Sequence, residues 1–166
     1  MIDGHGDDLF RYGDRIKANF STNIPQGVDH SGLIDHLSLH ADIISSYPEP
    51  QPKSVECRLA RIHDVLPETI IVTTGATEAI YLLAQAYAGG RSSIVVPTFR
   101  EYQDACRIFN HDVAYIFSLD YISGDENMVW LCNPNNPTGL VSDRKKILET
   151  IDTYPDIVFV VDQAYS

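Results

Sequence analysis

The chain has 166 residues, 44% hydrophobic and 21% charged, with a formal net charge of −11. That is enough for one α/β domain, or one domain with an arm, and the acidic balance argues against nucleic acid or an anionic membrane as partner. Cys57, Cys106 and Cys132 are scattered, odd in number and without a CxxC pair, which excludes a disulfide framework and a zinc site.

At the N-terminus Met1 is followed by Asp3, Asp7 and Asp8, with neither the basic nor the apolar region of a secretory signal. The longest uncharged apolar stretch, 79–90, is too short to span a bilayer, so a cytoplasmic location is expected. Residues 1–52 are rich in Gly, His, Asp and Ser, carry Pro25 and Pro48, and show little periodicity. They read as an N-terminal arm or part of a small domain, with an extended piece at 16–20 and a short helix at 31–39. His36 and His40, spaced i, i+4 there, have no third metal ligand nearby in the sequence.

From residue 53 the pattern becomes regular. A helix at 54–65 ends before Pro67, and a β-branched run at 70–74 flows through Gly75 into a helix at 77–88 that Gly89-Gly90 stops. Strands are predicted at 93–96, 113–117, 128–132 and 157–161, with helices at 102–109 and 145–151 between them. Alternating elements with continuously apolar strands predict an α/β fold, a mostly parallel sheet with helices on both faces, over residues 53–166. The last five residues, 162–166, add no closing helix, so the domain reads as truncated.

Ligands of such sheets sit at the carboxyl ends of the strands, and three features fall there. In Thr73-Thr74-Gly75-Ala76-Thr77-Glu78 a glycine turn opens a helix whose first amides suit a bound phosphate, with the Thr77 hydroxyl as a further donor. A plain N-cap by Thr74 or Thr77 is the alternative. Asn133-Pro134-Asn135-Asn136-Pro137-Thr138-Gly139 specifies a rigid loop, with a cis Asn136-Pro137 bond plausible. Asp162, ending an apolar strand with Tyr165 three residues on, needs a partner: a pyridinium nitrogen, a metal or an arginine.

Taken in order, Gly75-Ala76-Thr77-Glu78, Pro97-Thr98-Phe99-Arg100-Glu101-Tyr102, the Asn133–Gly139 loop and Asp162-Gln163-Ala164-Tyr165 resemble fold-type-I pyridoxal-phosphate (PLP) enzymes of the class I/II aminotransferase superfamily. The resemblance implies PLP as cofactor. It implies that Gly75, Ala76 and Thr77 hold its phosphate and Phe99 stacks on its ring. Asn136 and Tyr165 would bond the ring's 3′-oxygen, and Asp162 would pair with the ring nitrogen. Asn136 would also steady a substrate carboxylate. Tyr47 resembles the tyrosine that reaches the neighbouring subunit's cofactor phosphate, which implies a homodimer.

The lysines are Lys17, Lys53, Lys145 and Lys146, none in the Ser-x-Ser/Thr-Lys setting that carries the cofactor-anchoring lysine in the family. Lys145 and Lys146 read as a solvated helix face. The 166-residue chain is therefore expected to be an inactive fragment of an active parent.

Within the superfamily, Gly4-His5-Gly6-Asp7-Asp8 and Phe20-Ser21-Thr22-Asn23-Ile24-Pro25 resemble stretches of threonine-phosphate decarboxylases of cobalamin synthesis, relatives of histidinol-phosphate aminotransferases. That resemblance implies a small phosphorylated amino-acid substrate, with His5 and Asn23 binding its phosphate or carboxylate. A histidinol-phosphate-type aminotransferase is the alternative within the family. A non-catalytic α/β module that binds a phosphate metabolite is the alternative outside it.

Overall fold

A computed structural model describes residues 9–23 and 27–166. His5 lies outside the described residues. The chain divides into two compact units, residues 1–70 and 71–166.

The first unit contains α1 (Leu9–Tyr12), α2 (Ser31–Leu39) and α3 (Lys53–His63), with 3-10 turns at Gly13–Arg15, Ala41–Ser45 and Pro67–Thr69. The helix predicted at 31–39 is present as α2, and the Asp29 carboxylate accepts from the Ser31 amide at 2.9 Å just before its first turn. None of its residues is buried, and Leu33, Ile34, Leu37 and Leu39 are exposed. Asp64 ends α3 in the left-handed conformation, φ 53°, and the Val65 amide returns to the Ala60 carbonyl at 3.0 Å. The sequence boundary at 52/53 differs from the division by compactness, which groups α3 with the N-terminal unit.

The second unit is the predicted α/β sandwich. It contains α4 (Ala76–Ala86), β1 (Arg91–Val95), α5 (Arg100–Ile108), β2 (Asp112–Ile116), β3 (Met128–Cys132), α6 (Arg144–Thr153) and β4 (Val158–Asp162). All pairings are parallel, in the order β2-β1-β3-β4. The sheet has four strands, not the five that the apolar runs suggest. Residues 70–74 do not form a strand: Ile70 is extended, at φ −114° and ψ 133°, but Ile71 is 81% exposed and no described strand runs alongside. β-branching favours the extended backbone, whereas a strand needs a partner ladder.

The central strand β3 explains the layering. Met128, Trp130 and Cys132 point into one core with Ile80 and Ala84 of α4 and Tyr102, Ala105 and Cys106 of α5. Val129 and Leu131 point into the other, with Ile147 of α6 and Ile116 of β2. Period-two alternation thus feeds two cores from one wholly buried strand, with helices over both faces as predicted.

Strand β1 starts two residues earlier than the predicted 93–96, because Arg91 and Ser92 also belong to it. Ser92 and Ser93 are both 0% exposed, each with a buried partner. The His111 Nε2 donates to the Ala84 carbonyl at 2.8 Å, leaving Nδ1 to accept from the Ser92 hydroxyl at 2.8 Å. Ser93 donates to Glu126 at 2.9 Å, and Glu126 also gathers the amides of Ser123 (3.0 Å) and Gly124 (2.8 Å). Burial pushes the Glu126 carboxyl up; the amides of Ser123 and of Glu126 itself and the Ser93 and Ser123 hydroxyls outweigh it and bring it down to about 2. Among the described residues no helix is long and apolar enough to cross a membrane.

Candidate functional site

The strand order places a switch point between β1 and β3: the chain leaves β1 outward to β2, then returns to lay β3 on the other side of β1. Crevices form outside the carboxyl ends of strands that diverge in this way. The loops that leave β1 and β3 here are Val96-Pro97-Thr98-Phe99 and Asn133–Gly139. A cavity of about 330 Å³ adjoins them, bordered by Pro97, Cys132, Asn135, Thr138 and, from α6, Lys146.

The three asparagines of the second loop divide the labour. Asn133 closes the loop on itself: its Oδ1 accepts from the Ser142 amide at 2.8 Å, and its own amide donates to the Asp162 carbonyl at 2.8 Å. Asn135 joins the two loops, accepting the Thr98 hydroxyl at 2.9 Å and donating through Nδ2 to the Pro97 carbonyl at 2.8 Å and to Thr138 at 2.7 Å. Asn136 is half-buried, its backbone amide donating to the Cys132 sulfur at 3.4 Å while the Cys132 thiol donates to the Pro134 carbonyl at 3.2 Å. The Asn136-Pro137 bond is cis, as the sequence suggests, and so are Val96-Pro97 and Asn133-Pro134. Asn135 carries no role in the sequence reading. Its signal is the doubled asparagine between two prolines, of which the family resemblance gives a role to the second alone.

Asp162 ends β4 opposite Cys132 of β3. Its carboxylate is half-buried and held at both oxygens: Oδ1 accepts from the Ala164 amide at 2.9 Å, and Oδ2 from the Tyr102 hydroxyl at 2.7 Å. Tyr102 is 1% exposed, stacked on Trp130 with centroids 5.5 Å apart, and met edge-on by Phe99 at 5.8 Å. One buried ring therefore links Phe99 and Asp162, two residues the sequence singles out far apart in the chain. Burial pushes the Tyr102 phenol far above its ordinary value, and its hydrogen bonds with Cys132 and Asp162 push it the same way, so it stays a donor at any accessible pH.

Gly75 is the N-cap of α4 with φ 140° and ψ 170°, a conformation L side chains rarely adopt. No side chain caps the helix, so the alternative of Thr74 or Thr77 as cap does not hold. The reason is local. The Thr74 amide and hydroxyl both donate to Glu78 Oε2, at 2.5 and 2.8 Å, and the Thr73 hydroxyl donates to the Gly75 carbonyl at 2.9 Å. Those bonds, the amide first, hold the Glu78 carboxyl below its usual range. Ala76 and Thr77 remain exposed at the positive end of an 11-residue helix. α4 and Phe99 pack on the same face of the sheet, through the core that holds Tyr102.

Tyr165 lies in the turn after β4 and is half-exposed. Tyr47 and Asn23 are exposed residues of the N-terminal unit. Lys145 pairs with Glu149 at 3.7 Å and Lys146 with Asp120 at 2.5 Å, both on the surface. His36 and His40 bring their rings to 4.6 Å, but no group of three metal-ligating side chains exists among the described residues.

These features define a class: an open parallel α/β domain that presents a carboxylate, an amide loop, an aromatic ring and a helix N-terminus at one edge of its sheet. The chain belongs to the aminotransferase class I and II family, whose profile matches residues 15–166. Among similar curated proteins, the histidinol-phosphate aminotransferase of Leuconostoc citreum is 33% identical over 139 residues, covering 75% of this chain and 39% of that protein. The one from Shewanella oneidensis is 35% identical over 134 residues, covering 74% and 34%. Among solved structures, L-threonine-O-3-phosphate decarboxylase from Porphyromonas gingivalis superposes with a TM-score of 0.79 at 38% identity, over 87% of this chain and 48% of that one. Histidinol-phosphate aminotransferase from Sinorhizobium meliloti, in complex with pyridoxal-5′-phosphate, shares the fold with a TM-score of 0.69 at 16% identity, over 81% and 40%. The chain spans less than half the length of each of these relatives. The family is PLP-dependent.

Proposed function

We propose that this chain supplies most of the PLP cradle of an enzyme of amino-acid metabolism that acts on a small phosphorylated amino acid, most like a threonine-phosphate decarboxylase. The observation that carries the reading is Asp162: a carboxylate at the end of a parallel strand, held from two sides, beside a loop of clamped asparagines. The cradle suits the cofactor chemically. A carboxylate accepting one bond per oxygen keeps lone pairs for a protonated ring nitrogen. The Gly75 turn has room: a Cβ placed there would meet nothing within 4 Å, and Ala76 and Thr77 beyond it are exposed.

In this reading bound PLP supplies an electron sink for the charge left at the substrate's Cα. Asp162 keeps a proton on the ring nitrogen; Gly75, Ala76 and Thr77 hold the phosphate; Phe99 covers the ring. Asn136 and Tyr165 donate to the 3′-oxygen, and Asn136 also orients the substrate carboxylate. His5 and Asn23 help bind the substrate's phosphate or carboxylate, and Tyr47 reaches a second subunit's cofactor phosphate in a homodimer. Residues 1–52 serve as arm or part of a small domain, and residues 53–166 as the first portion of the large one. Cytoplasmic location is part of the same reading. None of Lys17, Lys53, Lys145 and Lys146 takes the anchoring role, so residues 1–166 alone do not turn substrate over.

The 38% identity to the Porphyromonas decarboxylase favours decarboxylation. The histidinol-phosphate aminotransferases at 33–35% identity favour transamination as second reading. Assaying the full-length protein with threonine phosphate for carbon dioxide, and with histidinol phosphate plus 2-oxoglutarate for amino transfer, separates the two. A protein that binds a nucleotide or phosphate metabolite by calorimetry and ignores PLP is a binding module instead, and the proposal is then wrong.

A further inference from the structure

We propose that Tyr102 is a positioning residue of this site: its hydroxyl fixes the carboxylate of Asp162 in the one orientation from which it can hold a proton on the cofactor's ring nitrogen. The inference rests on the PLP reading and extends it to a residue behind the cradle.

An aspartate at the end of a strand can swing about its side-chain torsions, and a swinging carboxylate meets a ring nitrogen only part of the time. Here the two oxygens are anchored independently. The Ala164 amide, two residues on, holds Oδ1 at 2.9 Å, a bond any turn after a strand could provide. The Tyr102 hydroxyl holds Oδ2 at 2.7 Å from a different element, 60 residues earlier in the chain. That second bond determines the carboxylate plane, because its donor cannot move. The phenol ring is 1% exposed, sandwiched against Trp130 at 5.5 Å and 19°, and blocked at its edge by Phe99 at 5.8 Å and 82°. The same ring therefore sets both the face on which the cofactor would lie, through Phe99, and the point at which its nitrogen would be met, through Asp162.

The hydroxyl also acts in one sense only. Burial and its partners keep the phenol protonated, so it always donates to Asp162 and never competes for the ring proton. A tyrosine that merely fills the core needs no partner this exact in place, whereas this hydroxyl meets a carboxylate oxygen at 2.7 Å.

The test uses the full-length protein loaded with PLP carrying 15N at the ring nitrogen. In the wild type the 15N resonance should report a protonated nitrogen that does not titrate between pH 6 and 9, roughly the range in which such proteins stay folded. Tyr102→Phe keeps the ring and removes the bond. It should move the resonance toward the unprotonated position, make it titrate within that range, and weaken PLP binding about tenfold. Ile80→Val disturbs the same core but leaves the hydroxyl and its aromatic seat in place, and should leave the resonance where it is. If Tyr102→Phe does not fold, the wild-type Tyr102 hydroxyl proton serves instead: its resonance should shift when PLP is added. A 15N signal and pH profile in Tyr102→Phe that match the wild type overturn the inference and leave the PLP reading intact, as does a hydroxyl proton indifferent to PLP. A wild type that takes up no PLP overturns both.

Discussion

The Thr98 hydroxyl donates to Asn135 Oδ1 at 2.9 Å, and this bond joins the loop after β1 to the loop after β3 across the switch point of the sheet. Asn135 reinforces the joint through Nδ2, which reaches the Pro97 carbonyl at 2.8 Å. Because Phe99 follows directly and Asn136 is the next residue, one side chain registers two groups that the proposed cofactor contacts from different sides.

Asn135→Ala should therefore act on the site more than on the fold. It removes the side-chain bonds to Thr98, Pro97 and Thr138 in a half-buried position, for a stability loss of about 1–3 kcal/mol. PLP affinity should fall about tenfold or more as the loops lose register. A thermal melt and a PLP titration of the same variant check both. Unchanged PLP affinity beside a lowered melting temperature means that the clamp is structural only.

Gly75→Ala isolates the turn before α4. A methyl group would meet nothing within 4 Å, so crowding is not the issue, but φ 140° is strained for any side chain. The expected cost is about 1–3 kcal/mol. If the backbone relaxes to avoid that strain, the amides of Ala76 and Thr77 turn away from a bound phosphate. Urea denaturation should show a lower midpoint, and inorganic phosphate should compete with PLP less well than in the wild type. An unchanged midpoint would show that the turn is more adaptable than its geometry implies.

Much of this was legible because it rests on patterns that a single strand or loop carries by itself. The continuous apolar run at 128–132 announces a strand buried on both faces, and β3 is that strand. Asp162 at the end of β4 follows from the same logic. What the sequence hides are features that need two distant segments. Arg91 and Ser92 look like the end of a loop until His111 arrives to satisfy the Ser92 hydroxyl, so β1 reads two residues short. The run at 70–74 looks like a strand because β-branched residues describe a backbone preference and not a partner. Tyr102 was visible only as one aromatic of a motif, since its role depends on a carboxylate 60 residues away.

Glu126 ties β1 to the connection before β3, and its ionisation should be felt in stability. Its carboxyl is lowered in the fold, to about 2 from an ordinary 4.5, so the folded state favours the charged form. The resulting stability is fully present above pH 4.5 and is lost as pH falls from there toward 2. Glu126→Gln should be less stable than the wild type at pH 7, and the gap should narrow as both are acidified through that window. Melting temperatures of the two proteins from about pH 2 to 7, a range that brackets the loss, give the comparison. A gap independent of pH would assign the effect to shape and not to charge.

Asp162→Asn probes the residue on which the functional reading turns. An amide cannot accept at both ends: if its oxygen keeps the Tyr102 hydroxyl, its NH2 group faces the Ala164 amide, and two donors oppose each other. The reverse orientation sets the NH2 against the Tyr102 hydroxyl, which can rotate to accept, so that is the arrangement expected. Either way the side chain can no longer balance a positive charge on a ring nitrogen. In the full-length protein the rate of the chemical step should fall by about 10²-fold or more, while PLP binding falls far less, because the phosphate turn and Phe99 are untouched. Asp162→Glu, which keeps the charge but displaces it by one methylene, should recover part of the rate. Equal rates for the wild type and Asp162→Asn, with PLP bound in both, would remove this carboxylate from the chemistry and leave it a strand terminus held by a tyrosine.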